Sequence, residues 1–124
     1  MNIFVYGTLK RGFWNNRLLH EARFVKEALV QGYKLMGDGI PFAIPQEGST
    51  IRGEIFDIGD PEESDEASFI LRRLDGLEGH PNGYLRTATT TVDADPVSLY
   101  VWRHGRAGTD CPVINGAYEW QGRN

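Results

Sequence analysis

The clearest periodicity in the chain runs through DPEESDEASFILRRLDGLEG, residues 60–79, where apolar positions recur at helical spacing. Counted at 100° per residue from Ala67, the side chains of Ile70, Leu71 and Leu74 fall within about 60° and form one buried stripe. Asp60 is placed to cap the helix, Pro61 suits its first position, and Glu63 completes a capping-box spacing. Acidic residues crowd the first turns, where the macrodipole favours them. Gly79 follows as the residue that ends the helix, and Pro81 bars its continuation. Elsewhere the pattern is that of strands. IFVY (3–6) is a short apolar run closed by a glycine, FVKEALV (24–30) and GYKLM (32–36) follow, and TIRGEIFDI (50–58) reads as a strand covered on both sides. YLRTATTTV (84–92) and VSLYVW (97–102) are separated by a turn at D-A-D-P. Asn15 to Ala22 forms a short helix with Leu18, Leu19 and Ala22 on one side, and the stretch from Gly108 onward reads as loop. Together these elements predict an α+β fold, a small, mostly antiparallel sheet or partly closed barrel packed on a helix.

One residue breaks the helical pattern. Glu78 lies about 20° from the centre of the apolar stripe, in the last turn, where a carboxylate also meets the negative end of the macrodipole. Two local rules fail at one position, as happens at functional sites. A carboxylate in partly apolar surroundings has a raised pKa and makes a base suited to taking a proton from an ammonium group. The alternative is structural: the helix frays at Asp75-Gly76 and Glu78 sits in a solvated loop beside Arg72, Arg73 or Arg86.

Composition narrows the function. The 124 residues suit one domain, 1–124, and 40% hydrophobic content supports a real core. Seventeen acidic against 13 basic residues, with no basic run longer than two, argue against nucleic acid as a partner. The apolar run at the amino terminus has no positive n-region, and no stretch approaches a membrane span. One cysteine points to a reducing compartment, so a cytoplasmic domain with no membrane partner is expected, a monomer by default. No cofactor is implied. GTLKRG fits neither the GxGxxG nor the P-loop pattern, and His20, His80 and His104 lack metal-ligand spacing. Cys111 precedes a proline seven residues from His104 without a nucleophile motif, and no GxSxG elbow exists. Glu54 in the central strand could line a pocket, but a surface or ion-pair role is the preferred reading. Taken alone, VYGTLKRG (5–12) is an ordinary strand and turn.

Taken with LDGLEGHPNGYLR (74–86), the same stretch resembles the gamma-glutamylcyclotransferase-like family, and within it the gamma-glutamylamine cyclotransferase branch. Asn16 with the Leu18-Leu19 pair, the strand RGEIFDI, the aromatic Tyr100 and the late Tyr118-Glu119 pair extend the likeness from residue 3 to about 119. Residues 104–117 depart from the family pattern. The resemblance implies a small β-barrel flanked by helices and a reaction in which the substrate's own α-amine attacks its γ-carbonyl. The products are 5-oxoproline and a free amine or amino acid. By the same resemblance Glu78 is the proton carrier, and the backbone N–H groups around Tyr6, Gly7, Thr8 and Leu9 bind the anionic end of a small γ-glutamyl substrate. Tyr84 would lend its hydroxyl to the substrate carboxylate or to Glu78. Arg86, two positions on and therefore on the same side of the strand, is read as the partner of an acidic residue. Tyr118 falls where the family has a tyrosine near the pocket mouth, though core packing explains it equally well. Domains of this fold without activity, acting as binding or interaction modules, are the alternative. The leaving group remains open among amino acids, glutathione, ε-lysine and a biosynthetic intermediate, with the motif wording leaning towards γ-glutamylamines.

Overall fold

Residues 1–37, 39–105 and 108–122 are described by a computed structural model of the chain. Seven strands form one sheet: β1 (Asn2–Val5), β2 (Arg23–Met36), β3 (Phe42–Asp57), β4 (Tyr84–Thr90), β5 (Pro96–Trp102), β6 (Val113–Ile114) and β7 (Ala117–Tyr118). Their order is β4-β5-β1-β3-β7-β6, with β2 pairing β3 outside this path. The α+β expectation holds, and the sheet curls without closing into a complete barrel.

The largest departure from the sequence reading is the β2–β3 hairpin. Residues 24–30 and 32–36 belong to one strand, because the irregularity at Gly32 is a bulge that bends the ladder without ending it. Their partner is likewise longer than residues 50–58. β3 begins at Phe42, and residues 46–49 loop out between the pairs Tyr33↔Pro45 and Gln31↔Thr50. This bend lets β3 serve two neighbours. Its second half lies antiparallel to β1 through pairs such as Val5↔Glu54, while its first half meets β5 in parallel at Ala43↔Val101. β1 therefore stands between β3 and β5 at one end of the sheet and stops short at the other.

The helix α1 (Asp65–Glu78) starts later than its sequence suggests. Ser64 is the cap, its hydroxyl accepting from the Ala67 N–H at 3.2 Å. Asp60 instead organises the preceding turn, its carboxylate accepting from the Glu62 N–H and its carbonyl from the N–H groups of Glu63 and Ser64. Ala67, Ile70 and Leu74 are buried and Leu71 is half-buried, as the stripe predicts. Ile70, Leu71 and Leu74 pack with Ile3, Val5, Leu18, Leu19 and Phe56 into one of two core clusters. The other fills the concave side of the sheet around Phe4, Val30, Leu35, Ile51 and Leu99. Two smaller corrections complete the picture. The short helix is a 3-10 segment over Trp14–Leu19. The stretch read as loop contains the β6–β7 hairpin, held to β3 by Ile51↔Tyr118 and by Arg52, which donates to the Ile114 carbonyl at 2.8 Å. Of residues 104–117, Arg106 and Ala107 lie outside the described residues, as do Arg123 and Asn124 of the expected 1–124 domain. Among the described residues no helix is long and apolar enough to cross a membrane.

Candidate active site

α1 does not fray at Asp75-Gly76. It continues to Glu78 and ends in a Schellman turn: Gly79 adopts φ +67°, its N–H reaches the Gly76 carbonyl, and the His80 N–H reaches the Asp75 carbonyl at 2.9 Å. The left-handed conformation at residue 79 favours glycine. The chain then folds tightly back, the Gly83 N–H donating to the Gly79 carbonyl at 2.7 Å. The carboxylate of Glu78 is thus held at a fixed corner between α1 and β4.

Glu78 opens onto a cleft lined by Tyr6, Gly7, Thr8, Leu9, Ile40, Pro41, Tyr84 and Tyr100, with Phe4 and Val5 also contributing. Six of the seven side chains or backbone positions singled out in the sequence converge here. Tyr118 does not, because β7 places it beside Ile51 across the sheet, where its ring packs on the core and lies 6.0 Å from the Lys34 ammonium. Its position is explained by packing.

The electrostatics of the cleft centre on Glu78. Burial pushes its carboxyl up to about 7, and no ion pair or hydrogen bond engages it among the described residues. The arginines that could have neutralised it are occupied. Arg86 pairs with Asp75, Arg72 donates to the Ser68 carbonyl at 3.4 Å, and Arg73 lies over Phe69. Burial, and to a smaller extent the charge of Glu78, raise the Tyr84 hydroxyl well above its ordinary range. Burial does the same for Tyr6, with Tyr84 and Glu78 adding to it. Both phenols stay protonated near neutrality and act as hydrogen-bond donors.

Opposite Glu78 runs the loop after β1. Each of its carbonyls is satisfied on the protein side. Gly7 accepts from the Lys10 N–H at 3.0 Å, Thr8 from the Asn15 N–H at 3.1 Å, and Leu9 from the Asn16 amide at 2.7 Å. The N–H groups of Gly7, Thr8 and Leu9 have no acceptor among the described residues, although all three residues are buried along the cleft. Unpaired buried N–H groups are rare in folded proteins, and successive ones form an anion-binding concavity. The loop's far end is anchored by the buried Glu54, which accepts from the Arg11 N–H at 2.8 Å and the Arg11 guanidinium at 3.2 Å. That guanidinium also stacks 3.6 Å from the Phe24 ring centre. Gly7 is needed for packing, since a Cβ there would lie 2.5 Å from Pro41 Cγ.

Tyr6 has a separate task. Its hydroxyl donates to the Tyr100 carbonyl at 2.6 Å and accepts from the Ala43 N–H at 3.2 Å, bridging β5 to β3 where β1 has ended. The Tyr84 hydroxyl donates to the Pro41 carbonyl at 3.2 Å. Arg86 fills the structural role expected of it, and Asp75 also accepts from the Tyr100 hydroxyl at 2.7 Å. The sequence reading missed Ile40 and Pro41, which reach the cleft from the β2–β3 turn, and the carbonyl-pinning roles of Asn15 and Asn16. Only the pairing of distant strands brings residues 40–41 to residues 6–9, and no local motif records it. Among the described residues no cluster of three or more His, Cys, Asp or Glu side chains gathers at one point.

A family model described as gamma-glutamyl cyclotransferase, AIG2-like, matches residues 3–121. A Methanocaldococcus jannaschii protein provisionally named a gamma-glutamylcyclotransferase is 32% identical over 81% of this chain and 79% of its own. The gamma-glutamylaminecyclotransferase of Rattus norvegicus is 35% identical over 70% of this chain, which spans 60% of that relative's length. Among solved structures, an AIG2-like protein from Mus musculus superposes with a TM-score of 0.68 at 29% identity, covering 85% of this chain and 78% of that one. A Pyrococcus horikoshii protein, at 24% identity and TM-score 0.73 over 95% and 89% of the two chains, shares the fold. On these grounds the chain belongs to the gamma-glutamyl cyclotransferase, AIG2-like family.

Proposed function

We propose that the cleft cyclises a γ-glutamylamine, releasing 5-oxoproline and the free amine, with Glu78 carrying the proton. The observation behind this reading is the pairing, in one cleft, of a half-buried carboxylate near neutrality with three buried N–H groups, none of which has a partner among the described residues. The N–H groups of Gly7, Thr8 and Leu9 hold the substrate's α-carboxylate and so fold the glutamyl chain back on itself. The ammonium group first sheds its proton to solvent. As the free amine attacks the γ-carbonyl carbon, a C–N bond forms and one N–H proton passes to the Glu78 carboxylate. The tetrahedral intermediate then collapses, the original γ-carbon–nitrogen bond breaks, and Glu78 returns that proton to the departing nitrogen. No water is consumed. The nucleophile is tethered to its target, so pre-organisation contributes a large share of the acceleration, up to roughly 7–11 kcal/mol in well-oriented intramolecular cases. Glu78 suits both halves of the cycle, since a group near neutrality is readily protonated and deprotonated. Tyr84 supplies a protonated hydroxyl beside the reacting centre. A single cysteine, Cys111, buried in the fold, suits a reducing compartment such as the cytoplasm.

The test is 5-oxoproline release from γ-glutamyl-ε-lysine, γ-glutamyl-alanine and glutathione by wild type and Glu78→Gln. Turnover that disappears in the variant is expected; turnover that survives it would move the proton carrier elsewhere.

A further inference from the structure

An aromatic surface adjoins the cleft along β4 and β5. Tyr100 lines the cleft from β5, and Trp102, two residues further along the same strand, projects from the same face. Tyr84 lies directly across the ladder from Trp102, and their ring centres are 5.1 Å apart. Trp102 in turn stands 5.9 Å from Phe42 and 4.9 Å from His104. Phe42 follows Pro41, whose carbonyl accepts from Tyr84 within the cleft. At the rim Ile40 lines the cleft yet is 63% exposed. The wall formed by Tyr84 and Pro41 therefore continues without a break into a half-buried shelf of Trp102 and Phe42, ending at the exposed His104.

We infer that this shelf receives the leaving group, and that the preferred substrates are γ-glutamyl amides of amines bearing an aromatic ring. The inference rests on the cyclotransferase reading of the cleft. In that reaction the γ-amide nitrogen must point out of the pocket, because the glutamyl half fills it and the released amine has to depart. Whatever the nitrogen carries then lies along the wall leading out, and that wall is aromatic. Offset or edge-on ring contacts stabilise such an arrangement beyond simple area burial. A methyl group on the nitrogen is too short to extend along the shelf and gains no ring stacking from it.

The experiment compares kcat/KM for γ-glutamyl-phenethylamide and γ-glutamyl-methylamide. Both are amides of unhindered primary alkylamines, so their reacting centres are alike. Wild type is expected to favour the phenethylamide by about tenfold or more, a ratio within reach of one apolar contact region. In Trp102→Ala that ratio should fall towards one. The exposed His104→Ala, on which no core packing depends, should lower it by a smaller factor and serves if the tryptophan variant does not fold. Equal kcat/KM for the two amides in wild type, or a preference that both variants retain, would overturn the shelf and leave the cyclotransferase reading intact. Failure to release 5-oxoproline from either amide, or from the substrates of the previous test, would instead bring down the reading of the cleft and the shelf with it.

Discussion

Asp75 and Glu78, three residues apart in the last turn of α1, meet opposite surroundings. Asp75 is paired with Arg86 and accepts from the Tyr100 hydroxyl, which ties the helix end to β4 and β5. Among the described residues Glu78 has no ionic or hydrogen-bonded partner, and burial pushes it up to about 7. One carboxylate anchors the corner and the other is kept available, so the two serve different ends despite their shared helix.

Removing the anchor should separate these roles. Arg86→Met leaves Asp75 partly buried without its cation, and a loss of about 1–3 kcal/mol is expected in denaturant unfolding. A second effect should follow in kcat/KM, because the helix end carrying Glu78 is no longer pinned.

Glu78 itself makes activity depend on pH. The carboxylate is the active base, so kcat/KM should rise with pH along a limb centred near 7. Glu78→Gln should remove the limb and lower kcat by about a hundredfold or more. A limb of unchanged position in the variant would belong to another group.

The same burial has a stability consequence of opposite sign. A carboxyl whose folded pKa lies above its unfolded value binds protons more tightly when folded. Stability is therefore lost as pH rises from about 4.5 towards 7, and the full penalty persists above that. Glu78→Gln escapes it, and should be more stable than wild type at pH 8 by roughly 1–3 kcal/mol, with little difference at pH 4. Thermal unfolding at the two pH values reads this directly.

Substrate affinity should depend on the loop between β1 and the 3-10 segment. In Gly7→Ala the new methyl group meets Pro41 at 2.5 Å, so either the loop or the β2–β3 turn must move. A rise in KM of about tenfold or more is expected, since misplacement of about 1 Å is costly in such sites. Glu54→Gln acts from the other end by loosening Arg11. There KM should rise several-fold with kcat affected less, whereas a purely global destabilisation would leave KM unchanged at temperatures where the protein is folded.

The sequence carried the helix and the conflict within it. Ala67, Ile70 and Leu74 are buried where the periodicity places them, and the Gly79 turn ends α1 one residue after Glu78. Strand existence was legible at IFVY, YLRTATT and VSLYVW because short β-branched and aromatic runs were bounded by turn residues. Strand continuity was not, since Gly32 and the loop at 46–49 look like breaks in one dimension and are bulges in three. The cleft was half legible for the same reason. Residues 6–9, 78 and 84 lie in compact motifs, whereas Ile40 and Pro41 arrive through a pairing of 14 and 16 residues that no local pattern announces. Ser64 displaced Asp60 as cap because Asp60 is already spent on its own turn.

Where β1 runs out, β3 and β5 come together at Ala43↔Val101, and the Tyr6 phenol adds a second link between them, donating to the Tyr100 carbonyl and accepting from the Ala43 N–H. The cleft opens beside this side-chain rung. Its floor consequently has the rigidity of the sheet, and a ligand cannot push Tyr6 aside without stranding an amide and a carbonyl together. Adaptation to new substrates is thereby directed outward, to rim positions such as the exposed Ile40.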